Sequence, residues 1–169
     1  MATVDIQRAL TVPAVSARTT LSTIMHDIEE RRGEWADFAL YLNFAAIGLP
    51  DVGYVAIPVT VSIIEETTEP AHQIKFRLRA RRKPEAFPVF EGAVGIDSTG
   101  PSNALLWLNG TYEVPLKNLG AIFDHMLARG TAEKALQNMV SELADAIVAH
   151  VEQRELADAR YRMIFSSGD

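Results

Sequence analysis

FPVFEGAVGI, from Phe87 to Ile96, is followed by the run DSTGPSN and then by ALLWLNGTYEV, from Ala104 to Val114. Apolar and aromatic residues dominate both arms. The Asp, Ser, Gly, Pro and Asn residues between them are turn formers, so the whole reads as a β-hairpin. A helical segment begins after Pro115 and continues to about Glu155. A long amphipathic helix laid across an antiparallel sheet buries a large face, and in some folds the gap between the two layers is a ligand cavity.

Downstream of the hairpin, Leu119, Ile122, Phe123, Met126 and Leu127 form one apolar stripe, and Leu136, Met139, Val140, Leu143 and Ile147 form a second. At about 100° per residue the second stripe is rotated roughly a quarter turn from the first, with Gly130 between them, which predicts a kink near Arg129–Thr131. On this reading the first stripe touches a ligand and the second anchors the helix. Beyond Glu155 the apolar pattern thins, so residues 158–169 are expected to be a tail following a single domain over residues 1–157.

Upstream, Gln73–Arg82 alternates without exception: Ile74, Phe76, Leu78 and Ala80 on one side, Lys75, Arg77, Arg79 and Arg81 on the other. This is a strand with one buried and one wet face. Val55 to Ile63 also alternates, and Pro58 within it points to an edge strand or a bulge. The acidic Glu65–Pro70 segment reads as a turn. Residues 34–50 fit either a strand or a helix, and a short helix with a loop is the expectation there. Val4, Ile6, Leu10 and Val12 predict a first strand ended by Pro13. Leu21, Ile24, Met25 and Ile28 predict a helix capped by Ser16 and stopped near Gly33.

At 169 residues, 48% of them apolar, the chain is the size of one domain with a continuous core. A net charge of −6 argues against a protein whose main task is to neutralise nucleic-acid phosphates. With no cysteine there is no disulfide framework, no thiolate metal site and no cysteine nucleophile. No apolar run approaches the roughly twenty residues that span a bilayer, and a cytoplasmic protein is the expectation.

The motifs of common enzyme chemistry are missing. There is no Gly-x-Ser-x-Gly elbow, phosphate-cradling loop or dinucleotide fingerprint, so no cofactor is expected. His26, His72, His125 and His150 are scattered without metal-ligand spacing and read as surface or satisfied histidines, with no metal expected. Lys75, Arg77, Arg79, Arg81, Arg82 and Lys83 hold six of the sixteen basic residues. The rest of the chain, 10 basic against 22 acidic residues, therefore carries −12. The basic face reads as a solvated strand face that discourages edge pairing, or as a docking face for an anionic partner at Lys75, Arg77, Arg79 and Arg81. Arg8 shares the parity of Val4, Ile6 and Leu10 and is expected to point inward, where a guanidinium needs a carboxylate or an anionic ligand. Glu91 and Asn109 are the strand residues available to partner it, Glu91 foremost.

The order Phe87-Pro88-Val89-Phe90-Glu91-Gly92, then Leu106-Trp107-Leu108-Asn109-Gly110-Thr111-Tyr112-Glu113-Val114-Pro115-Leu116, then Leu119-Gly120 and Asp124, resembles the START-like (SRPBCC) superfamily. That superfamily includes polyketide cyclase and dehydratase-like proteins and Bet v 1-like carriers. The resemblance implies an α+β helix-grip fold: a curved antiparallel sheet around a long C-terminal helix, with a cavity for an apolar or amphipathic molecule between them. The expected function is binding of a small hydrophobic or amphipathic ligand, with Arg8, Tyr54, Phe90, Glu91, Trp107, Asn109, Tyr112, Phe123, Met126 and Leu127 as candidate ligand-binding residues. Two alternatives stand beside it: a cyclase- or dehydratase-like enzyme in which Arg8, Glu91, Asn109 or Tyr112 orients substrate, and an interaction module whose cavity is filled by side chains.

Overall fold

A computed structural model describes residues 1–30, 39–43, 54–69, 71–81, 89–113 and 125–166. In chain order they form β1 (Ala2–Leu10), α1 (Ala14–Glu30), β2 (Ala39–Asn43), β3 (Tyr54–Thr67), β4 (Gln73–Ala80), β5 (Val89–Gly100), β6 (Asn103–Glu113) and α2 (His125–Ser166). The described strands make one antiparallel sheet in the order β1-β6-β5-β4-β3-β2.

The alternation of β4 translates directly into burial. Ile74, Phe76, Leu78 and Ala80 are buried while Lys75, Arg77, Arg79 and Arg81 are exposed. Because paired residues in a ladder share a face, register carries this division across the sheet. Phe76 faces Gly92, which faces Gly110, which faces Val4, all on the inner side. Arg77, Glu91, Thr111 and Thr3 follow one another on the outer side. The inner face and the helices enclose a core that includes Leu10, Leu21, Ile96, Leu106, Leu108, Val140 and Ile147.

Gly92 and Gly110 are required by this packing. A Cβ on either would lie 2.5 Å from Cζ of Phe90, whose ring covers both. Phe90 also meets Phe76, with ring centroids 5.7 Å apart and planes tilted by 47°. The helix α2 packs against β1 and β2, the two edges of the sheet, as well as β6 and α1. One helix reaches both edges because the sheet curves around it. The second helix, α1, lies against β3, β5, β6 and α2.

Several local expectations change. Ala39–Asn43 is a strand rather than part of a short helix, and it pairs with Tyr54–Pro58. The backbone groups along the first half of β3 need partners, and β2 supplies them where β4 does not reach. Pro58 stands at the changeover, opposite Ala39 of β2, while Val59 already pairs with Ala80 of β4. Its carbonyl accepts a bond from the Arg81 N–H at 2.9 Å. The bulge of β3 lies further on, between Ile63 and Glu65.

Glu65 and Glu66 belong to β3 rather than to a turn, opposite Lys75 and Ile74. The β5–β6 hairpin is tighter than the expected loop from Asp97 to Asn103, since strand pairing continues to Gly100 and resumes at Asn103. Ser16 lies inside α1, and the first bond of that helix runs from the Ala17 N–H to the Pro13 carbonyl at 3.0 Å. In α2 no break falls at Arg129–Thr131, and a Cβ on Gly130 would meet nothing within 4 Å. The helix continues beyond Glu155 to Ser166, with residues 152–163 exposed. The expected helix start after Pro115 lies outside the described residues.

Candidate functional site

The apolar stripe of α1 faces the sheet, with Ala14, Ala17, Leu21 and Met25 buried. Packing is incomplete where α1, the sheet and α2 meet. A cavity of about 140 Å3 lies there, bounded by Ile24, Met25 and Ile28 of α1, by Val61, Phe76, Leu78 and Val94 of the sheet, and by Met139, Glu142, Leu143 and Ala146 of α2. Its shape follows from exposure. Met25, Val61, Phe76, Leu78, Val94 and Leu143 are buried and form the floor, whereas Ile24, Ile28, Met139, Glu142 and Ala146 are partly or fully exposed and form the mouth. The cavity therefore opens between the two helices. Its floor is hydrocarbon and thioether throughout, and its volume is enough for a benzene-sized molecule.

The candidate residues distribute differently from expectation. Phe90 and Tyr112 are buried on the inner face, in the core beside the cavity rather than in its lining. Glu91 and Asn109 are exposed on the outer face, and Trp107 is half-buried there, against Gly95. Arg8 does share the inner parity, opposite Leu106, but it is exposed. Thus no Arg8–Glu91 pair forms: register aligns Glu91 with Arg77, and the Arg77 Nε donates to Glu91 Oε1 at 2.6 Å. The side chains of Tyr54, Phe123, Met126 and Leu127 lie outside the described residues. The described cavity meets α2 at Met139–Ala146, the stretch expected to serve only as an anchor.

A polar constellation that the sequence did not disclose runs along one flank of α1. Arg18, Ser22, His26 and Glu29 are spaced by four, four and three residues, which puts them on one helical stripe. Arg18 Nε donates to the Ile96 carbonyl at 2.9 Å, and the Ile63 N–H, at the β3 bulge, donates to Glu29 Oε1 at 2.9 Å. Between these ties, the Ser22 hydroxyl donates to Glu66 in a short hydrogen bond, and His26 Nε2 lies 2.7 Å from the other Glu66 oxygen. Ser22 Oγ is also 3.0 Å from His72 Nε2.

A serine hydroxyl has one proton, so with that proton on Glu66 it accepts from His72. This assigns the neutral His72 proton to Nε2 and leaves Nδ1 as a buried acceptor, which indeed has no hydrogen-bond partner. Burial is the main force holding the His72 pKa below its usual value, against the attraction of Glu66. The Ser22 hydrogen bond chiefly lowers that of Glu66, and the bond to Glu66 chiefly raises that of His26. Arg18, Ser22, His26 and Glu29 together pin α1 to the sheet while its adjacent apolar face roofs the cavity.

On the outer face, Lys75 Nζ bonds Glu65 Oε2 at 2.6 Å and Arg77 pairs with Glu91, while Arg79 and Arg81 have no such partner among the described residues. No group of three or more potential metal ligands occurs among the described residues. No described helix is long and apolar enough to cross a membrane.

No family model matches the sequence, and no curated protein does. Solved structures do match in fold. Norcoclaurine synthase from Thalictrum flavum, solved with dopamine and hydroxybenzaldehyde, superposes with a TM-score of 0.57 at 11% identity, over 90% of this chain and 87% of that one. A conserved protein from Geobacillus kaustophilus gives 0.51 at 13% identity, over 90% and 96% of the two chains. A START superfamily protein from Mycobacterium smegmatis gives 0.44 at 20% identity, over 89% and 97%. With strand order, curvature and the embracing of α2 already established, the chain has the START-like helix-grip fold that its motifs from Phe87 to Asp124 resemble.

Proposed function

We propose that the protein binds a small hydrophobic or amphipathic molecule in the cavity between α1, α2 and the sheet. The observation that carries this reading is the apolar floor, where Phe76, Leu78, Val94 and Leu143 leave a space of about 140 Å3 open toward the helices. At about 25 cal/mol per Å2 of apolar surface removed from water, burial of one ring or short alkyl chain supplies the affinity, while the preformed walls limit the ordering cost. No covalent step is needed, and no titratable side chain occupies the floor.

Native mass spectrometry and thermal-shift measurements with a panel of alkylbenzenes and short-chain alcohols test the reading. Retention of one ligand per chain and a raised Tm are expected. Val94→Phe, which pushes a ring into the floor, should abolish both effects. A panel without a binder, or binding that survives this substitution, contradicts the proposal.

An anionic partner at the basic strand would meet Arg79 and Arg81, because Lys75 and Arg77 are already engaged by Glu65 and Glu91. Reversing both charges with Arg79→Glu and Arg81→Glu should then weaken binding to anionic vesicles, while an equivalent change at Lys75 does little. Equal losses from all three sites would count against this assignment.

A further inference from the structure

We propose that the cavity selects an apolar ligand carrying a cationic head, such as an arylalkyl amine, with Glu142 holding the ammonium at the mouth. The inference rests on the ligand-binding reading above and adds the sign of the ligand's charge.

Three independent observations converge on that sign. The first is the lining itself. Glu142 is the one ionisable side chain among the described residues that bound the cavity, and it belongs to the exposed mouth rather than to the floor. A ligand whose apolar body reaches Phe76 and Leu143 therefore leaves its other end beside a carboxylate. The second is that this carboxylate is uncommitted: among the described residues Glu142 takes part in no hydrogen bond or ion pair, whereas Glu65, Glu66 and Glu91 each hold a named partner. Asp27 is exposed on α1 between Ile24 and Ile28, outside the lining, and neither helix places a basic residue in the lining.

The third observation is the distribution of charge over the molecule. Lys75, Arg77, Arg79 and Arg81 point from the outer face of the sheet, away from the helices, whereas α1 and α2 together hold nine acidic against six basic residues. That modest excess of negative charge favours cations over anions on the helical side. Arg8, the residue whose inward parity pointed to an anionic ligand, is not among the lining residues. Geometry thus inverts the ligand charge that strand parity alone implied.

An exposed carboxylate gives only a modest preference. Ion pairs in contact with solvent amount to roughly a threefold to fivefold effect, and salt screens them. The experiment is calorimetric titration of the intact chain with three ligands sharing one ring and chain length: phenethylamine, propylbenzene and 3-phenylpropionate. We expect the amine to bind about threefold to fivefold more tightly than propylbenzene and the carboxylate to bind more weakly than either. Raising the salt should shrink the spread. Glu142→Gln should erase the amine's advantage over propylbenzene.

Equal affinities for amine and hydrocarbon, a preference for the carboxylate, or an advantage that persists in Glu142→Gln would each overturn the charge assignment and leave the binding reading standing. If none of the three binds, both fall. Val94→Phe separates the cavity from adventitious amine binding at the acidic surface: it should remove all three affinities, and retained amine binding there overturns the proposal.

Discussion

The two flanks of α1 do opposite things with the same helix. On one flank Arg18, Ser22, His26 and Glu29 reach the sheet through directed polar contacts, and the interactions hold the helix at fixed points. On the other, Ile24 and Ile28 face α2 across an unfilled space. The difference is physical in origin. Hydrogen bonds fix distance and direction at a few places, whereas apolar contact is non-directional and tolerates a gap as long as the gap stays dry. A helix pinned along one side can roof a cavity on the other without collapsing into it.

The largest expected effect comes from removing the floor on which the apolar side depends. Phe76→Ala should lower the unfolding free energy by about 3–5 kcal/mol, because a fully buried ring is replaced by an enlarged void, as urea denaturation would report. A loss below about 1 kcal/mol would mean that the core collapses around the site, and then the cavity is not maintained by its walls.

On the polar side, Ser22→Ala removes the donor to Glu66 and the acceptor for His72 together. Stranding a buried histidine N–H should cost about 1–3 kcal/mol, with increased hydrogen exchange concentrated in α1. If exchange instead rises evenly through the molecule, α1 is not separately pinned by this contact.

The same constellation gives a pH dependence with a maximum near 6.5. Because His72 is depressed by burial, the unfolded chain takes up a proton near the usual 6.5, and the folded chain does so only at lower pH. Stability therefore declines as pH falls below 6.5. The Glu66 contribution, set chiefly by Ser22, is complete above about 4.5 and is lost as pH falls through its lower folded value, so it deepens the acid limb. His26 acts on the other side. Its raised pKa gives a contribution complete below 6.5 and lost as pH rises through the folded value, and exposure keeps that limb shallow. Urea midpoints from pH 4 to 9 should show the steeper acid limb, and His72→Gln should flatten it between 4.5 and 6.5. An unchanged limb in that variant would assign the acid sensitivity elsewhere.

The smallest effect belongs to the outer face. Glu91→Gln breaks an exposed pair with Arg77 and should change stability by less than about 1 kcal/mol. A larger loss would give the outer face a structural role that its exposure argues against.

These contrasts also explain what could be read from the chain. The inner and outer faces of β4 were legible because alternation at Gln73–Ala80 maps one to one onto burial. The order of hairpin and long helix made an α+β plan legible, and the resemblance carried by the motifs from Phe87 to Asp124 implied the helix-grip arrangement. Residues 39–43 were not, since five residues fit both periodicities and pairing with β3 settles the matter. Glu91 went astray for a related reason: Arg8 does share the inner parity, but Glu91 alternates with Phe90 and Gly92, so its side follows from the register of β4, β5 and β6.

For the site, the spacing of Arg18, Ser22, His26 and Glu29 puts them on one stripe of α1, but nothing in that spacing marks the stripe as a contact with the sheet. The stripe's partners Glu66 and His72 come from the far end of β3 and the start of β4, and only the fold brings them to α1. The cavity was least legible of all. Ile24, Ile28, Met139 and Leu143 read as ordinary apolar stripes, because a void is a property of how faces meet rather than of any residue.

Methyl-resolved NMR of the intact chain titrated with propylbenzene tests the cavity most directly. Saturable shifts are expected at Ile24, Met25, Ile28, Met139 and Leu143, with little change at Leu10 or Ala104, which are buried outside the lining, and loss of the response in Val94→Phe. Shifts scattered over the exposed methyls of Met1, Val15 and Leu156, or no shift at the cavity walls, would contradict it.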